Sequence, residues 1–233
     1  MNTKTNNKEH DFFDKLSKEW WDEDGKFSVL HKIRPLRIRY ILDQLNRKNI
    51  VEAAILDLGF GGGLVSESLA KLGAVVTGVD FVKENIKIAN DHASKNDLNI
   101  NYINQNIEKL KIKKKFDVII MFEILEHLDD WKVFIMKIKK NLKKNGILII
   151  STINRNVISK ISAIYIAENI LKWIPKGTHE FNKFIKPSEI HNCLKNNNLK
   201  FKDIKGLEFS LLDYEWKLTN NTNINYFCTY EYN

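Results

Sequence analysis

Three side chains able to bind a metal ion or move a proton stand close together in the stretch FDVIIMFEILEHLDDW: Glu123, Glu126 and His127. They follow Val118, Ile119 and Ile120, an apolar run short enough to be a buried strand, so the reactive groups fall where a sheet would end. In a helical turn they would sit at i, i+3 and i+4 and project to one side. Two carboxylates and an imidazole with open positions suit Mg²⁺, and the imidazole also tolerates Mn²⁺ or Zn²⁺. A second reading needs no metal: the first acid lines a ligand cleft, and His127 is a base or hydrogen-bonds the helix behind it. In both readings His127 faces the reaction.

A second constellation lies upstream in ILDLGFGGGLVSESLAKLGAVVTGVD. Gly59, Gly61 and Gly63 form G-x-G-x-G between a strand-like and a helix-like segment, and the missing side chains let backbone approach a ligand closely. Asp80 closes the next strand, where it can accept hydrogen bonds from both hydroxyls of a ribose. The pattern differs from the dinucleotide G-x-G-x-x-G. Asp57, two residues before the turn, adds a negative charge that penalises a pyrophosphate and suits a cationic ligand such as S-adenosylmethionine (SAM). A glycine-rich turn that serves only tight packing is the competing reading.

The elements that must position these groups alternate. Residues 54–58 read as a strand, followed by the glycine turn and a helix with Leu64, Val65, Leu69 and Leu72 inward, closed by Gly73. Residues 75–80 form a second strand and 83–94 a second helix; 101–104, 117–121 and 147–151 are further strands. Trp131, Phe134, Ile135, Ile138 and Leu142 make a helical stripe between the last two. Such alternation predicts a parallel, doubly wound sheet, with ligands beyond the carboxyl ends of its strands at the switch in strand order. A helix led by Pro187 and strands near 200–204 and 225–232 complete the chain, the last two as a closing hairpin-like edge. At the other end, Phe12, Phe13, Leu16 and Trp20 predict an amphipathic helix over 11–21 that stops near Gly25.

With 233 residues the chain suits one large α/β domain. Cys193 and Cys228 fit neither a disulfide framework nor a zinc spacing, so both read as core residues in a reducing compartment. No secretory leader or bilayer-spanning stretch is evident, which predicts a cytoplasmic protein. The formal charge of +8 is scattered, and no aromatic or zinc module accompanies it, so a solvated surface is preferred to nucleic-acid binding. The stretch RNVISKISAIYIAENILKWIPKG is apolar around most of a helical circumference and must be covered by something.

At these residues the sequence resembles class I SAM-dependent methyltransferases. The segments WWDEDGKFSVLHKIRPLRIRYI, LDLGFGGG, FEILEHLDD, STINRN and PKGTHEFNKFIKPSEI narrow the resemblance to the UbiG family of ubiquinone-biosynthesis O-methyltransferases. It implies a Rossmann-like α/β fold with a seven-stranded, mostly parallel sheet whose last strand is antiparallel. Around that core the expected layout is an N-terminal helical lid (1–50), a SAM-binding core (51–154), an apolar helical insertion (155–186) and a C-terminal part of the same domain (187–233). By motif match, Arg37, Gly59, Gly61, Asp80 and Phe122 would contact SAM, and Asn106 would lie near the adenine. Phe60, Arg34 and Phe122 depart from the family pattern.

The implied reaction is methylation of polyprenylated catechol and quinol intermediates, 2-polyprenyl-6-hydroxyphenol and 3-demethylubiquinol, at two steps of ubiquinone synthesis. A phenol titrates near about 10 and needs either a base or a divalent cation to become a nucleophile. Glu126 and His127 are the expected catalytic pair; Glu123, Glu126 and His127 are the expected cation ligands. His179 is a second candidate base. Trp20, Trp21 and His31 read either as a lid over the cofactor or as core packing. Residues 155–178, with Arg155, Lys160, Lys172 and Lys176, read as covering the acceptor and dipping into an anionic membrane surface on the inner face, or else as a buried helix or dimer face. Other ubiquinone-biosynthesis enzymes are further expected partners. Methylation of another lipid or phenol, and a non-catalytic SAM-binding assembly subunit, are the alternatives.

Overall fold

Ala54–Leu58 (AILDL) is buried at all five positions, as a strand covered on both faces must be. The computed structural model, which describes residues 19–45, 50–159 and 181–233, makes this β1 and pairs it in parallel with β2 (Val75–Asp80) on one side and β4 (Phe116–Phe122) on the other. With β3 (Asn101–Asn104), β5 (Leu142–Ile153), β6 (Leu199–Ser210), β7 (Glu215–Thr219) and β8 (Asn225–Tyr232), the sheet order is β3-β2-β1-β4-β5-β8-β6-β7. Strand order reverses between β1 and β4, so a crevice opens where Leu58, Val79 and Met121 stand side by side at the carboxyl ends.

Period-two alternation sends the strand side chains to two cores. One face carries Leu56, Leu58, Ile119, Met121 and Ile150 against α4 (Trp131–Ile138) and α5 (Pro187–Leu194). The opposite face carries Ile55, Val76, Val118, Ile120 and Ile149 against α1 (Ser28–Leu45) and α2 (Leu64–Lys71), while α3 (Lys83–Lys95) links β2 to β3. Pro35 lies inside α1, yet Ile33, Tyr40 and Ile41 on its apolar side are buried in that core, and the helix runs through. Packing outweighs the local penalty of one proline there.

The sheet is mostly parallel and its last strand is antiparallel to both neighbours, as the sequence predicts. Three details differ. The sheet has eight strands rather than seven, because EWKLT pairs with the outer half of β6 as an edge hairpin. Strand β8 slots between β5 and β6, so the two last-expected strands do pair, but the tight hairpin joins β6 to β7. Leu142 opens β5, opposite Phe116, instead of ending the preceding helix. Residues 11–18 of the helix expected over 11–21, most of the apolar stretch 155–178 and His179 lie outside the described residues. The C-terminal strands belong to the same sheet as the glycine turn. In the segment expected to be a lid, α1 is packed on the sheet, and Trp20 and Trp21 are the residues that reach the turn.

Candidate active site

The turn after β1 is tied to β2, since Gly59 N–H donates to Val79 O at 2.7 Å. Asp80, the last residue of β2, is buried at the mouth of the crevice. Its Oδ2 accepts from Gly61 N–H at 3.0 Å and its Oδ1 from Val82 N–H at 2.9 Å, with Asn85 Nδ2 at 3.5 Å. Burial raises the proton affinity of Asp80, while those bonds pull it down. Asp57, on β1, accepts from Ser66 Oγ at 2.6 Å. Burial pushes its carboxyl up to about 6, against the Ser66 bond and the field of Arg37. A cationic ligand arriving nearby would favour the ionised form.

The N-terminal chain lies on this turn. At Gly61 (φ +59) and Gly62 a Cβ would run into the Trp20 ring, so the indole sits directly on backbone. Trp20 Nε1 donates to Asn85 Oδ1 at 2.9 Å, and its ring stacks on Phe27 with centroids 3.8 Å apart. His31 Nε2 donates to Trp20 O at 2.8 Å. Trp21 Nε1 donates to Gly62 O at 3.1 Å while its ring stacks on His92 at 3.4 Å. His92 Nδ1 in turn donates to the buried Glu67 carboxylate at 2.8 Å.

At the end of β4 the structure corrects the expected geometry of EILEH. Glu123 is not part of a helical turn: its φ is +48, in the left-handed region, and its N–H donates to Ser151 O at 2.9 Å, extending the strand pairing by one residue. The turn that follows is a short 3₁₀ segment, Leu125–His127. Glu123 and Glu126 therefore do not share a helical face. The Glu123 carboxylate is instead ion-paired to Arg37 Nη2 and accepts from Ser151 Oγ. Glu126 is buried, its Oε2 accepting from Thr152 Oγ1 at 3.0 Å and its Oε1 without a partner. Burial raises its proton affinity, opposed chiefly by His127. Among the described residues no group of three His, Cys, Asp or Glu is arranged to hold a metal ion.

Arg37 projects from α1 to the same spot. It is the one buried Lys or Arg among the described residues, its guanidinium lies 5.2 Å from the Phe122 ring centroid, and its Nε has no partner. Phe122 closes β4 and meets Phe227 edge-on at 5.4 Å. Phe60 turns into the fold against Gly78 and Tyr102. Arg34 faces Glu23 at 3.8 Å. Asn106 lies beyond β3 as the cap of a short turn, its Oδ1 accepting from Glu108 N–H at 2.8 Å. Arg155, expected to help at a membrane, is paired with Glu189 at the start of α5. The fold thus gathers Arg37, Asp57, Phe122, Glu123 and Glu126 at one end of β1 and β4, with Gly59, Gly61 and Asp80 alongside.

Asn85, Ser151 and Thr152 were not singled out as site residues from sequence. An Asn one turn into the helix after Asp80 carries a weak signal. The two hydroxyls at the end of β5 become meaningful only when β4 and β5 pair and set them beside Glu123 and Glu126.

Residues 29–203 match a family model described as a methyltransferase domain. A ubiquinone biosynthesis O-methyltransferase from Pelagibacter ubique is 48% identical over 229 residues, covering 95% of this chain and 95% of the relative. The chain belongs to the ubiquinone biosynthesis O-methyltransferases. A family member from Rickettsia typhi is 46% identical over 224 residues, 95% of this chain and 91% of its own length. Among solved structures, magnesium protoporphyrin IX methyltransferase from Synechocystis PCC 6803 with bound S-adenosylhomocysteine (SAH) superposes with a TM-score of 0.69, covering 96% of this chain and 98% of that one at 17% identity. The N-methyltransferase NodS from Bradyrhizobium japonicum, also in complex with SAH, gives 0.60 at 16% identity, covering 95% and 98%. At that identity the likeness concerns the fold. As an O-methyltransferase of this family the chain uses SAM, and the crevice fits it: a buried acid ends β2, Asp57 favours a cation, and the unpartnered Arg37 Nε can receive a carboxylate.

Proposed function

We propose that the enzyme methylates the phenolic hydroxyl of polyprenylated catechol and quinol intermediates, 2-polyprenyl-6-hydroxyphenol and 3-demethylubiquinol, with Glu126 and His127 at the acceptor. When bound, SAM supplies an electrophilic methyl group and departs as a neutral thioether. The Asp80 carboxylate, already preorganised by Gly61 and Val82 N–H groups, would grip the ribose, with Gly59 and Gly61 under the nucleoside and Asn106 toward the adenine. Asp57 and Arg37 would face the charged end of the cofactor, and Phe122 would flank it.

The observation that carries the acceptor assignment is the Glu126 carboxyl. It is buried, one oxygen is bonded to Thr152, the other has no partner, and burial raises its proton affinity toward the range a general base needs. The charge of His127, next in sequence, opposes that rise. Steady-state kinetics with a short-chain prenylated catechol test the assignment: Glu126→Gln should lower kcat with SAH binding unchanged, and an unchanged kcat would overturn it.

A second reading keeps a divalent cation. Glu126 Oε1 is one unfilled donor, and Glu123 and His127 are its neighbours; that reading requires Glu123 to leave Arg37. Activity lost on chelation and restored by Mg²⁺ supports it; full activity in metal-free buffer rejects it. No helix among the described residues is long and apolar enough to cross a membrane. A prenylated substrate would be met at a membrane surface, with the apolar stretch 155–178 and other enzymes of ubiquinone synthesis as the proposed contacts. Flotation with anionic liposomes tests this; a segment deletion that leaves flotation unchanged would sink it.

A further inference from the structure

We infer that Glu123 is a resident stand-in for the carboxylate of the cofactor's amino-acid end: it holds the Arg37 guanidinium while the crevice is empty and surrenders it when that carboxylate arrives.

Four observations meet at this pair. Arg37 is buried, and at 8% exposure a guanidinium needs an anionic partner. Glu123 satisfies it incompletely, reaching Nη2 while the adjacent Nε, also buried, has none. The Nε and Nη2 edge is the fork that receives a carboxylate with two parallel bonds, so an incoming carboxylate can make one bond more than Glu123 does. Second, Glu123 is held in a left-handed backbone conformation disfavoured for a side chain other than glycine, at a site where Ser151 pins both its N–H and its carboxylate. Third, its side chain is about one-third exposed while that of Arg37 is one-tenth exposed, so the acid is the partner with room to move. Fourth, the surrounding buried charges are Asp57, Asp80 and Glu126, all acids. A carboxylate entering this crevice has Arg37 as its cationic receptor, and Glu123 is the negative charge it must displace.

Exchange leaves Glu123 bonded to Ser151 but without its counter-charge, beside Glu126 and His127. Cofactor binding thereby raises the negative charge at the acceptor end. By linkage, any cation or proton bound there and the cofactor strengthen each other's binding.

The test compares SAH with decarboxylated SAH, which keeps the nucleoside, thioether and amine and lacks only the carboxylate. Calorimetry on the full chain should show Glu123→Gln and Glu123→Ala binding SAH about 3- to 30-fold more tightly than wild type, the range expected for removing a partly exposed competitor from a charged hydrogen bond. The decarboxylated compound should change by less than about twofold on the same grounds. In an Arg37→Met background, Glu123→Gln should no longer affect SAH, which a purely structural role for Glu123 would not produce. Unchanged or weaker SAH binding in both folded Glu123 variants overturns the inference, as does equal tightening of the decarboxylated compound. If wild type binds neither compound, the cofactor assignment itself fails. If it binds both equally, only the Arg37 exchange does.

Discussion

Trp20 Nε1 donates to Asn85 Oδ1 at 2.9 Å, across 65 positions of sequence, and Asn85 reaches on to Asp80. The indole that covers the glycine turn is thus wired to the acid that closes β2. Trp20→Ala removes the stacked ring from Phe27 and uncovers Gly61 and Gly62; truncation of so buried an aromatic should lower stability by about 3 kcal/mol in urea unfolding. Trp20→Phe keeps most of the packing and loses the bond, for about 1 kcal/mol. If Trp20→Phe also weakens SAH binding severalfold, the ring acts as a lid; equal SAH affinity leaves it as packing alone.

The Asp80 carboxylate accepts from three donors. Asp80→Ala leaves Gly61 and Val82 N–H groups without their acceptor and deletes the proposed ribose ligand. Hydrogen bonds to a charged group contribute about 1.5–3 kcal/mol each, so SAH affinity should fall at least about tenfold. Calorimetry reads this directly, and an affinity within twofold of wild type would remove Asp80 from the ribose.

Asp57 gives a pH signature. Its folded carboxyl titrates at about 6 against an ordinary 3.8, so the folded state binds this proton more tightly than the unfolded one. Stability from this group is full below 3.8 and is lost as pH rises to about 6, a span of about 3 kcal/mol. Chemical unfolding of Asp57→Asn against wild type should therefore shift by up to that amount in the variant's favour between pH 4 and pH 7. Binding runs the other way. Ionised Asp57 attracts a sulfonium, so the ratio of SAM to SAH affinity should rise with pH through about 6 and be flat in Asp57→Asn.

As the proposed base, Glu126 would work only when ionised, and burial delays its ionisation to higher pH. The kcat of wild type should increase with pH until that carboxyl has lost its proton. Loss of a general base lowers rate by about 10²- to 10⁴-fold. Glu126→Gln and His127→Gln measured side by side assign the proton: the larger loss, together with the disappearance of the rising limb, marks the acceptor. Two variants with wild-type kcat would remove both from the chemistry.

Much of the fold was legible because local rules and tertiary structure agree. The buried runs at 54–58 and 117–121 could only be interior strands, and Gly59 to Gly63 could only be a turn before a helix. β7 was missed although EWKLT alternates polar and apolar residues: five residues are a short pattern, and only pairing with β6 makes it an edge strand. At EILEH the helical reading failed because one more hydrogen bond to β5 keeps Glu123 in the sheet, and a three-residue 3₁₀ turn is too short to carry an i, i+4 face.

The amino-acid order alone determined a doubly wound sheet, the glycine turn, the acid at the end of β2 and the reactive cluster at the end of β4, since periodicity, turn chemistry and residue type are local properties. Which charges meet was decided only in three dimensions. Arg37 is 86 positions from Glu123, and Thr152 is 26 from Glu126. Their pairing follows from how α1 lies on the sheet and how β4 registers with β5, and neither is written in any window of sequence. The burial that raises Asp57 and Glu126 is likewise a property of the assembled core, because desolvation depends on everything packed around a carboxyl and not on its neighbours in the chain.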